Sequence, residues 1–107
     1  MRILITGFEH YGRTQTNPSQ IVTELIEQDK QFHSFWEERN VEICTMTVPN
    51  NFYESIDVVT NKITLVQPDF VIMIGEFPGR VMITCERVAT NINDSSRYGL
   101  SVTTVLS

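Results

Sequence analysis

The sequence predicts an α/β fold in which a mainly parallel sheet is covered by helices on both faces. Strand-like and helix-like segments alternate over residues 1–74 in the order strand, helix, strand, helix, strand. Strands joined through helices pair in parallel by right-handed crossovers. The chain has 107 residues, 41% of them hydrophobic, which is enough for one small domain and hardly enough for two. We therefore predict a single α/β/α sandwich domain over residues 1–107.

The first strand and the first helix are predicted within residues 2–30. Arg2–Thr6 is a short buried-type strand that ends at Gly7. Asn17 and Pro18 mark a helix start, because asparagine can cap a helix and proline suits its first turn. Four apolar residues then repeat at helical spacing: Ile21, Val22, Leu25 and Ile26. We expect the helix to run to about residue 30 and to pack through this apolar stripe.

Two more strands and a second helix are predicted after residue 40. Residues 41–48 alternate as a strand does, and Pro49 closes it. Asn51 and Glu54 form a capping box. Five apolar residues then share one helical face: Phe52, Ile56, Val59, Ile63 and Val66. A third strand, Phe70–Ile74, is apolar on both faces, and we expect both of its faces to be buried. His33 is expected in a connection between the first helix and the second strand.

Charge and composition exclude several kinds of partner. Thirteen acidic against eight basic residues give a net charge of -5, without a basic cluster that could follow a phosphate backbone, so nucleic acid is not expected. The longest apolar run, Phe70–Ile74, is far too short to cross a bilayer, so we expect a cytoplasmic protein with no membrane partner. Cys44 and Cys85 have no CxxC spacing. No metal or other cofactor is expected, and both thiols should be reduced.

The candidate site is expected where loops leave the carboxyl ends of the strands, at residues 7–17 and 75–80. The first loop reads GFEHYG, which departs from GxGxxG and places aromatic side chains where a pyrophosphate needs bare backbone. A dinucleotide is therefore not expected. Two interpretations of Phe8 and Tyr11 remain open: they are the walls of a flat apolar slot for a small ring, or they only cap the sheet. His10 is more typical of a solvated loop histidine than of a general base.

Glu86 lies in a β-prone run that follows the turn at residues 75–80. In a strand it would share a face with Met82, Thr84 and Val88, which prefer burial. The carboxylate is either held by a neighbouring arginine, Arg80 or Arg87, or orients a catalytic imidazole. The alternation does not decide between these two roles.

Taken in order, these motifs resemble the pyrrolidone carboxyl peptidases, cysteine exopeptidases that remove an N-terminal pyroglutamyl residue. The segments that carry the resemblance are GFEHYG, NPS, QPDFVIMIGEFPGR and ITCERVATNIND, and they reach to about Asp94. The resemblance implies an α/β sandwich, which agrees with the fold predicted independently above. It also implies a pyroglutamyl peptide or small lactam as substrate and no cofactor.

The resemblance assigns roles to four residues. Glu86 matches the glutamate that completes the family's Cys-His-Glu triad, where it would fix the imidazole. Phe8 and Tyr11 match the two aromatic residues that line the pyrrolidone slot, and Tyr11 replaces a more usual phenylalanine. Glu76 stands in the pocket loop where bacterial members often have glutamine. A negative charge at Glu76 would weaken lactam binding.

The chain also departs from the family. The nucleophilic cysteine and the histidine of the family lie beyond the end of this chain, and neither Cys44 nor Cys85 matches the nucleophile's motif. Residues 95–107 form a divergent tail, in which Arg97 matches a family arginine only with a one-residue shift. The tail is strand-like over residues 101–106 and would leave an open sheet edge. We therefore expect a truncated domain that contains the pocket and the triad glutamate.

Three functional hypotheses follow. The first is a truncated or half-length pyroglutamyl peptidase, inactive alone, that pairs with a complementary half. The second is a non-catalytic binding or assembly module that forms a homo-oligomer or binds a full-length relative through its sheet edge. The third, which we favour least, is a peptidase that uses Cys85 or Cys44 with His10.

Overall fold

The computed structural model describes residues 1–9, 17–76, 82–86, 92–94 and 102–104. The chain divides into two compact units, residues 1–76 and residues 77–107. The first unit contains, in chain order, β1 (Arg2–Phe8), α1 (Pro18–Gln28), α2 (Lys30–Glu37), β2 (Glu42–Val48), α3 (Phe52–Val66) and β3 (Phe70–Met73). The second contains β4 (Ile92–Asp94) and β5 (Val102–Thr104).

The first unit is built on a parallel sheet with the strand order β2-β1-β3. Ile3 is paired with Ile43 of β2 on one side and with Phe70 of β3 on the other. The connection from β1 to β2 and the connection from β2 to β3 cross the sheet in opposite directions, so right-handed connections place α1 and α3 on opposite faces. The predicted α/β fold with a mainly parallel sheet is confirmed.

The core lies around β1. Leu4, Ile5, Ile43 and Val48 are its buried apolar side chains among the described residues. At the amino end of the sheet, the Arg2 guanidinium donates to Glu42 (2.9 Å) and to the Val66 carbonyl, and the Arg2 N–H donates to Asp69 (2.7 Å). These bonds fasten the start of β1 to β2 and to the end of α3. At the carboxyl end of the sheet, no comparable ion pair joins the described residues.

Helix α1 begins as predicted but packs through a different face. Asn17 caps it by accepting a hydrogen bond from the Ser19 N–H. The side chains that are buried against the sheet are Ser19 and Thr23, whereas Ile21, Val22 and Leu25 are between 42% and 61% exposed. The prediction of packing through the apolar stripe is therefore wrong. The reason is the close approach of α1 to the backbone of β1, which leaves room only for small side chains.

Residues 30–37 form helix α2, so the connection predicted around His33 is wrong. Asp29 ends α1 and caps α2, accepting a hydrogen bond from the Phe32 N–H (3.1 Å). A ring nitrogen of His33 lies 2.9 Å from the Ile26 carbonyl oxygen, which ties α2 back to α1. His33 is therefore a structural residue.

The second predicted helix is α3. Asn51 caps it by accepting hydrogen bonds from the N–H groups of Tyr53 (3.0 Å) and Glu54 (3.1 Å). It ends at Val66, before Gln67 in the left-handed conformation at φ 50°. The cap predicted at Asn51 is confirmed, and the helix ends with the last residue of the predicted apolar face.

Strand β3 is shorter and more exposed than predicted. It ends at Met73 rather than Ile74, and its apolar side chains Phe70, Ile72 and Met73 are between 49% and 61% exposed. The predicted burial of both faces is wrong for the described residues. In the part of the sheet that the structure describes, β3 is an edge strand bonded only to β1, which leaves much of its surface uncovered.

The second unit contains an antiparallel pair, in which Asn93 of β4 faces Thr103 of β5. Residues 102–104 thus confirm part of the strand predicted at 101–106. Residues 82–86 form no strand, and Met82, Ile83 and Glu86 are exposed. The prediction that Glu86 shares a buried strand face is wrong, because no described strand pairs with this segment. Among the described helices, none is both long and apolar enough to cross a bilayer.

Candidate active site

The first residues of the two predicted site loops meet at the carboxyl end of β1. Phe8 is the last residue of β1 and is half-buried. The Ile74 N–H donates to the Thr6 carbonyl (2.8 Å), after which the chain enters the second loop at Gly75. A Cβ on Gly75 would lie 3.9 Å from Cε2 of Phe8. Phe8 of the first loop therefore lies beside the start of the second loop.

Helix α1 lies directly against this end of β1. A Cβ on Gly7 would lie 2.3 Å from both the Ser19 carbonyl oxygen and the Thr23 hydroxyl oxygen, a distance at which nonbonded atoms overlap. Thr23 in turn donates its hydroxyl proton to the Ser19 carbonyl (2.7 Å). Gly7 is thus required by the closeness of the helix, which fixes the position of the backbone just before Phe8.

Hydrogen bonds also hold the backbone just after Gly7. The Phe8 N–H donates to Oγ of Ser19 (2.9 Å), and the Glu9 N–H donates to the Val48 carbonyl (3.0 Å). The Glu9 carbonyl accepts from two side-chain amides, those of Asn17 (3.3 Å) and Asn50 (3.1 Å). Phe8 and Glu9, near the start of the predicted pocket loop, are therefore anchored by the cap and first turn of α1 and by residues at and just after the end of β2.

The other predicted site residues lie in different parts of the chain. Glu76 is exposed and directly follows Gly75 at the end of the first unit. Glu86 is exposed and belongs to the second unit. Tyr11, His10, Arg80, Arg87 and Arg97 lie outside the described residues. Of the four residues assigned by resemblance, the structure therefore brings Phe8 and the loop of Glu76 to one edge of the sheet.

Both cysteines have free thiols. Cys44 is half-buried in β2, where it is paired in register with Leu4, and it stands four residues before the end of β2 at Val48. At the rise of an extended strand this is about 13 Å from the carboxyl edge of the sheet. Cys44 is therefore poorly placed to act beside Phe8. Within the described segments, no group of three or more His, Cys, Asp or Glu side chains could hold a metal ion.

Known proteins resemble this chain over most of its length. The sequence pattern of the family described as "Pyroglutamyl peptidase" matches residues 1–102. The chain belongs to the pyroglutamyl peptidase family. Two relatives with the name pyrrolidone-carboxylate peptidase illustrate the match. The protein from Mycobacterium tuberculosis is 43% identical over 100 residues, which cover 94% of this chain and 42% of the relative. The protein from Alkaliphilus oremlandii is 39% identical over 95 residues, which cover 89% of this chain and 41% of the relative.

Solved structures of pyroglutamyl peptidases share this fold. Pyroglutamyl peptidase I from Bacillus amyloliquefaciens aligns with a TM-score of 0.71 at 33% identity, covering 87% of this chain and 41% of that protein. A mutant pyrrolidone carboxyl peptidase from Pyrococcus furiosus aligns with a TM-score of 0.76 at 27% identity, covering 89% and 42%. The family resemblance predicted from the motifs is confirmed. The chain spans less than half the length of the pyroglutamyl peptidases that it matches.

Two positions near the site were missed or only partly understood from the sequence. Asn17 was predicted solely as a helix cap, although its amide nitrogen also holds the Glu9 carbonyl. Asn50 was not singled out, and its contact with Glu9 spans 41 residues of sequence. Local patterns do not reveal such a contact. The only sequence signal is that Asn50 follows the carboxyl end of a predicted parallel strand, where site residues gather.

Proposed function

We propose that this chain forms the pocket-bearing part of an omega peptidase that removes N-terminal pyroglutamate from peptides. The observation that supports the proposal most is the family match over residues 1–102, which includes every residue assigned above to the pocket and the triad. The relatives are named as peptidases of this specificity. None of the relatives reported above is a non-catalytic binding module, so the second hypothesis gains no support.

In the proposed enzyme, this chain binds and orients the substrate. Phe8 and Tyr11 face the two sides of the pyrrolidone ring, and their apolar rings exclude water from it. Glu76 stands at the rim of the pocket, where its negative charge weakens lactam binding. Glu86 accepts a hydrogen bond from the imidazole of the triad histidine, fixes its tautomer and stabilises the imidazolium that pairs with the thiolate. The cysteine and the histidine come from the remaining part of the family fold.

The exposed apolar surface of the first unit supports this division of the enzyme. Two groups of apolar side chains are exposed in the first unit: the α1 stripe, defined as Ile21, Val22 and Leu25, and the exposed residues of β3. Such side chains normally lie in a core. Groups of exposed apolar residues mark interaction surfaces, and an uncovered strand edge is a template for pairing. We propose that the remaining part of the pyroglutamyl peptidase fold covers them, since the matched relatives are more than twice as long as this chain.

A cytoplasmic location is part of the same proposal. It is supported by the two free thiols, because cysteines in oxidising compartments are usually paired. Fractionation of cells that express the chain, with a cytoplasmic and a secreted marker as references, tests this location.

A chimera tests the proposed function directly. In this chimera, residues 1–102 replace the matching segment of the M. tuberculosis relative, and hydrolysis of a fluorogenic pyroglutamyl amide is measured. We expect activity with the pyroglutamyl amide and none with the corresponding prolyl amide, because a slot built for the lactam carbonyl rejects an analogue that lacks it. A chimera that is folded by circular dichroism but does not hydrolyse the amide, beside an active relative, would refute the proposed function.

The α1 stripe is expected to take part in pairing with the remaining part of the enzyme. Leu25→Glu should weaken binding of this chain to that polypeptide by about tenfold or more, because burying an apolar side chain of this size contributes roughly 2 kcal/mol and a buried unpaired charge costs more. Gln28→Glu, at an exposed position of the same helix, is the matched control for the added charge. Titration calorimetry measures both, and equal affinities for the two variants would exclude the stripe from the interface.

A further inference from the structure

Side chains from outside the sheet hold the backbone of Phe8 and Glu9. Pairing between β1 and β3 ends at Thr6 and Met73, and the Ile74 N–H is the last backbone donor from that side among the described residues. Phe8 is paired with Val48 of β2 on its other side, but on the β3 side its N–H has no described strand beside it, and Oγ of Ser19 accepts its hydrogen bond at 2.9 Å. Near the start of the pocket loop, Ser19 thus supplies the hydrogen-bond acceptor that a neighbouring strand would otherwise supply.

The polar groups around Ser19 allow only one arrangement of donors and acceptors. Oδ1 of Asn17 accepts from the Ser19 N–H (3.0 Å) and from the Ser19 hydroxyl (2.7 Å). The amide nitrogen of Asn17 is then directed at the Glu9 carbonyl (3.3 Å). Asn17 and Ser19 are 1% and 2% exposed, so water does not compete for these bonds. Because the hydroxyl proton is used on Asn17, a lone pair of Ser19 remains for Phe8.

Helix capping alone does not account for this arrangement. A cap requires only an acceptor at Asn17, whereas the bond to Glu9 uses its donor. Asn50 supports the same conclusion, because it caps no helix. The cap of α3 is Asn51, and the Asn50 side chain donates to the Glu9 carbonyl at 3.1 Å. The Asn50 side chain is exposed. Two amides from different loops therefore converge on one carbonyl, that of the residue following Phe8.

We propose that Asn17, Ser19 and Asn50 are positioning residues of the pyroglutamyl pocket, which hold the Phe8–Glu9 backbone so that the Phe8 ring is a fixed wall. The inference rests on the proposed function and extends it to residues that touch no substrate. A rigid wall improves binding because less side-chain and loop freedom is lost when the substrate enters. Loss of one anchor should therefore weaken substrate binding and leave the chemical step nearly unchanged.

Asn50→Asp in the chimera is the sharpest kinetic test, because it keeps the shape of the side chain and removes the donor. We expect KM for the pyroglutamyl amide to rise about three- to tenfold, the usual effect of one lost hydrogen bond, with kcat within about twofold. Asn50→Gln, which keeps an amide donor, should recover part of the loss. Asn61→Asp, at an exposed asparagine of α3, is the control for the added charge.

Ser19→Ala in the unmodified 107-residue chain gives a second readout that needs no activity. Amide hydrogen exchange at Phe8 should become at least about tenfold faster, because its N–H loses its acceptor while the neighbouring Glu9 N–H keeps the Val48 carbonyl. Unchanged exchange at Phe8, or equal acceleration at both amides, would show that Ser19 does not anchor this residue.

The outcomes separate this inference from the proposed function. An inactive but folded chimera refutes the proposed function, and the positioning role falls with it. An active chimera in which Asn50→Asp leaves KM unchanged refutes the positioning role alone. If Asn50→Asp lowers both kcat and the thermal midpoint while KM is constant, Asn50 acts on the fold rather than on the pocket, which also overturns the inference.

Discussion

Gly7→Ala is expected to destabilise the first unit by about 3 kcal/mol, the upper end of the range typical of extra atoms forced into a packed interior. The added methyl group would lie 2.3 Å from the Ser19 carbonyl oxygen and from the Thr23 hydroxyl oxygen. The Ser19 carbonyl cannot move alone, because it belongs to the first turn of α1. The helix must therefore shift away from β1, and Ser19 would lose its contact with Phe8.

Urea unfolding of the 107-residue chain, followed by circular dichroism, measures this effect. Gly75→Ala is the matched control, since its added Cβ would meet the Phe8 ring at an ordinary contact distance of 3.9 Å. We expect the control to change stability by less than about 1 kcal/mol. If both variants unfold at the same urea concentration as the parent, α1 does not lie against Gly7 as described.

Glu86→Gln is expected to lower kcat of the reconstituted enzyme by roughly 10²- to 10⁴-fold, as when the acid of a catalytic triad is replaced by its amide. The change preserves the size of the side chain and removes the charge. A glutamine amide can present either a donor or an acceptor to the imidazole, so the histidine tautomer is no longer fixed. Steady-state hydrolysis of the pyroglutamyl amide by the chimera measures the effect.

Cys85→Ser is the control for this prediction, because it changes the adjacent residue and removes the exposed thiol. We expect it to leave kcat within about twofold of the parent. If Cys85→Ser abolishes hydrolysis and Glu86→Gln does not, the nucleophile lies in this chain. The proposed division of roles would then be wrong, and the third hypothesis would replace it.

The parts of the fold that were predicted correctly depend on interactions between close neighbours in sequence. The caps at Asn17 and Asn51 are local hydrogen bonds between residues two or three positions apart. The parallel sheet follows from the alternation of strands and helices. Helix α2 was missed because Asp29 ends one helix and caps the next, so the sequence contains no turn signal between them.

Burial could not be predicted in the same way, because it depends on what covers each face. The stripe of α1 and strand β3 have the composition of core elements, yet both are largely exposed in the first unit. At Gly7, helix α1 lies so close to β1 that only small residues, Ser19 and Thr23, fit on the face of the helix that packs against the sheet. The same limit applies to Glu86: a β-prone run becomes a strand only beside a partner strand, and residues 82–86 have none among the described segments.

The sequence predicted that the two site loops leave the same edge of the sheet, but it did not predict which residues hold them in place. Phe8 was identified from its place after the first strand and from the family motif, and the structure puts it beside Gly75 of the second loop. The anchoring roles of Asn17, Ser19 and Asn50 were not identified, because they depend on how the first loop, the start of α1 and the loop after β2 come together, and Asn50 lies 41 residues from Glu9. The roles assigned to Phe8, Tyr11, Glu76 and Glu86 stay predictions.

The most direct test of the central claim is hydrolysis of a pyroglutamyl amide by the unmodified 107-residue chain, alone and mixed with the part of the M. tuberculosis relative that lies outside the match. We predict no hydrolysis by either polypeptide alone and hydrolysis by the mixture, lost on Glu86→Gln. Hydrolysis by the 107-residue chain alone, abolished by Cys85→Ser or Cys44→Ser, would contradict the account.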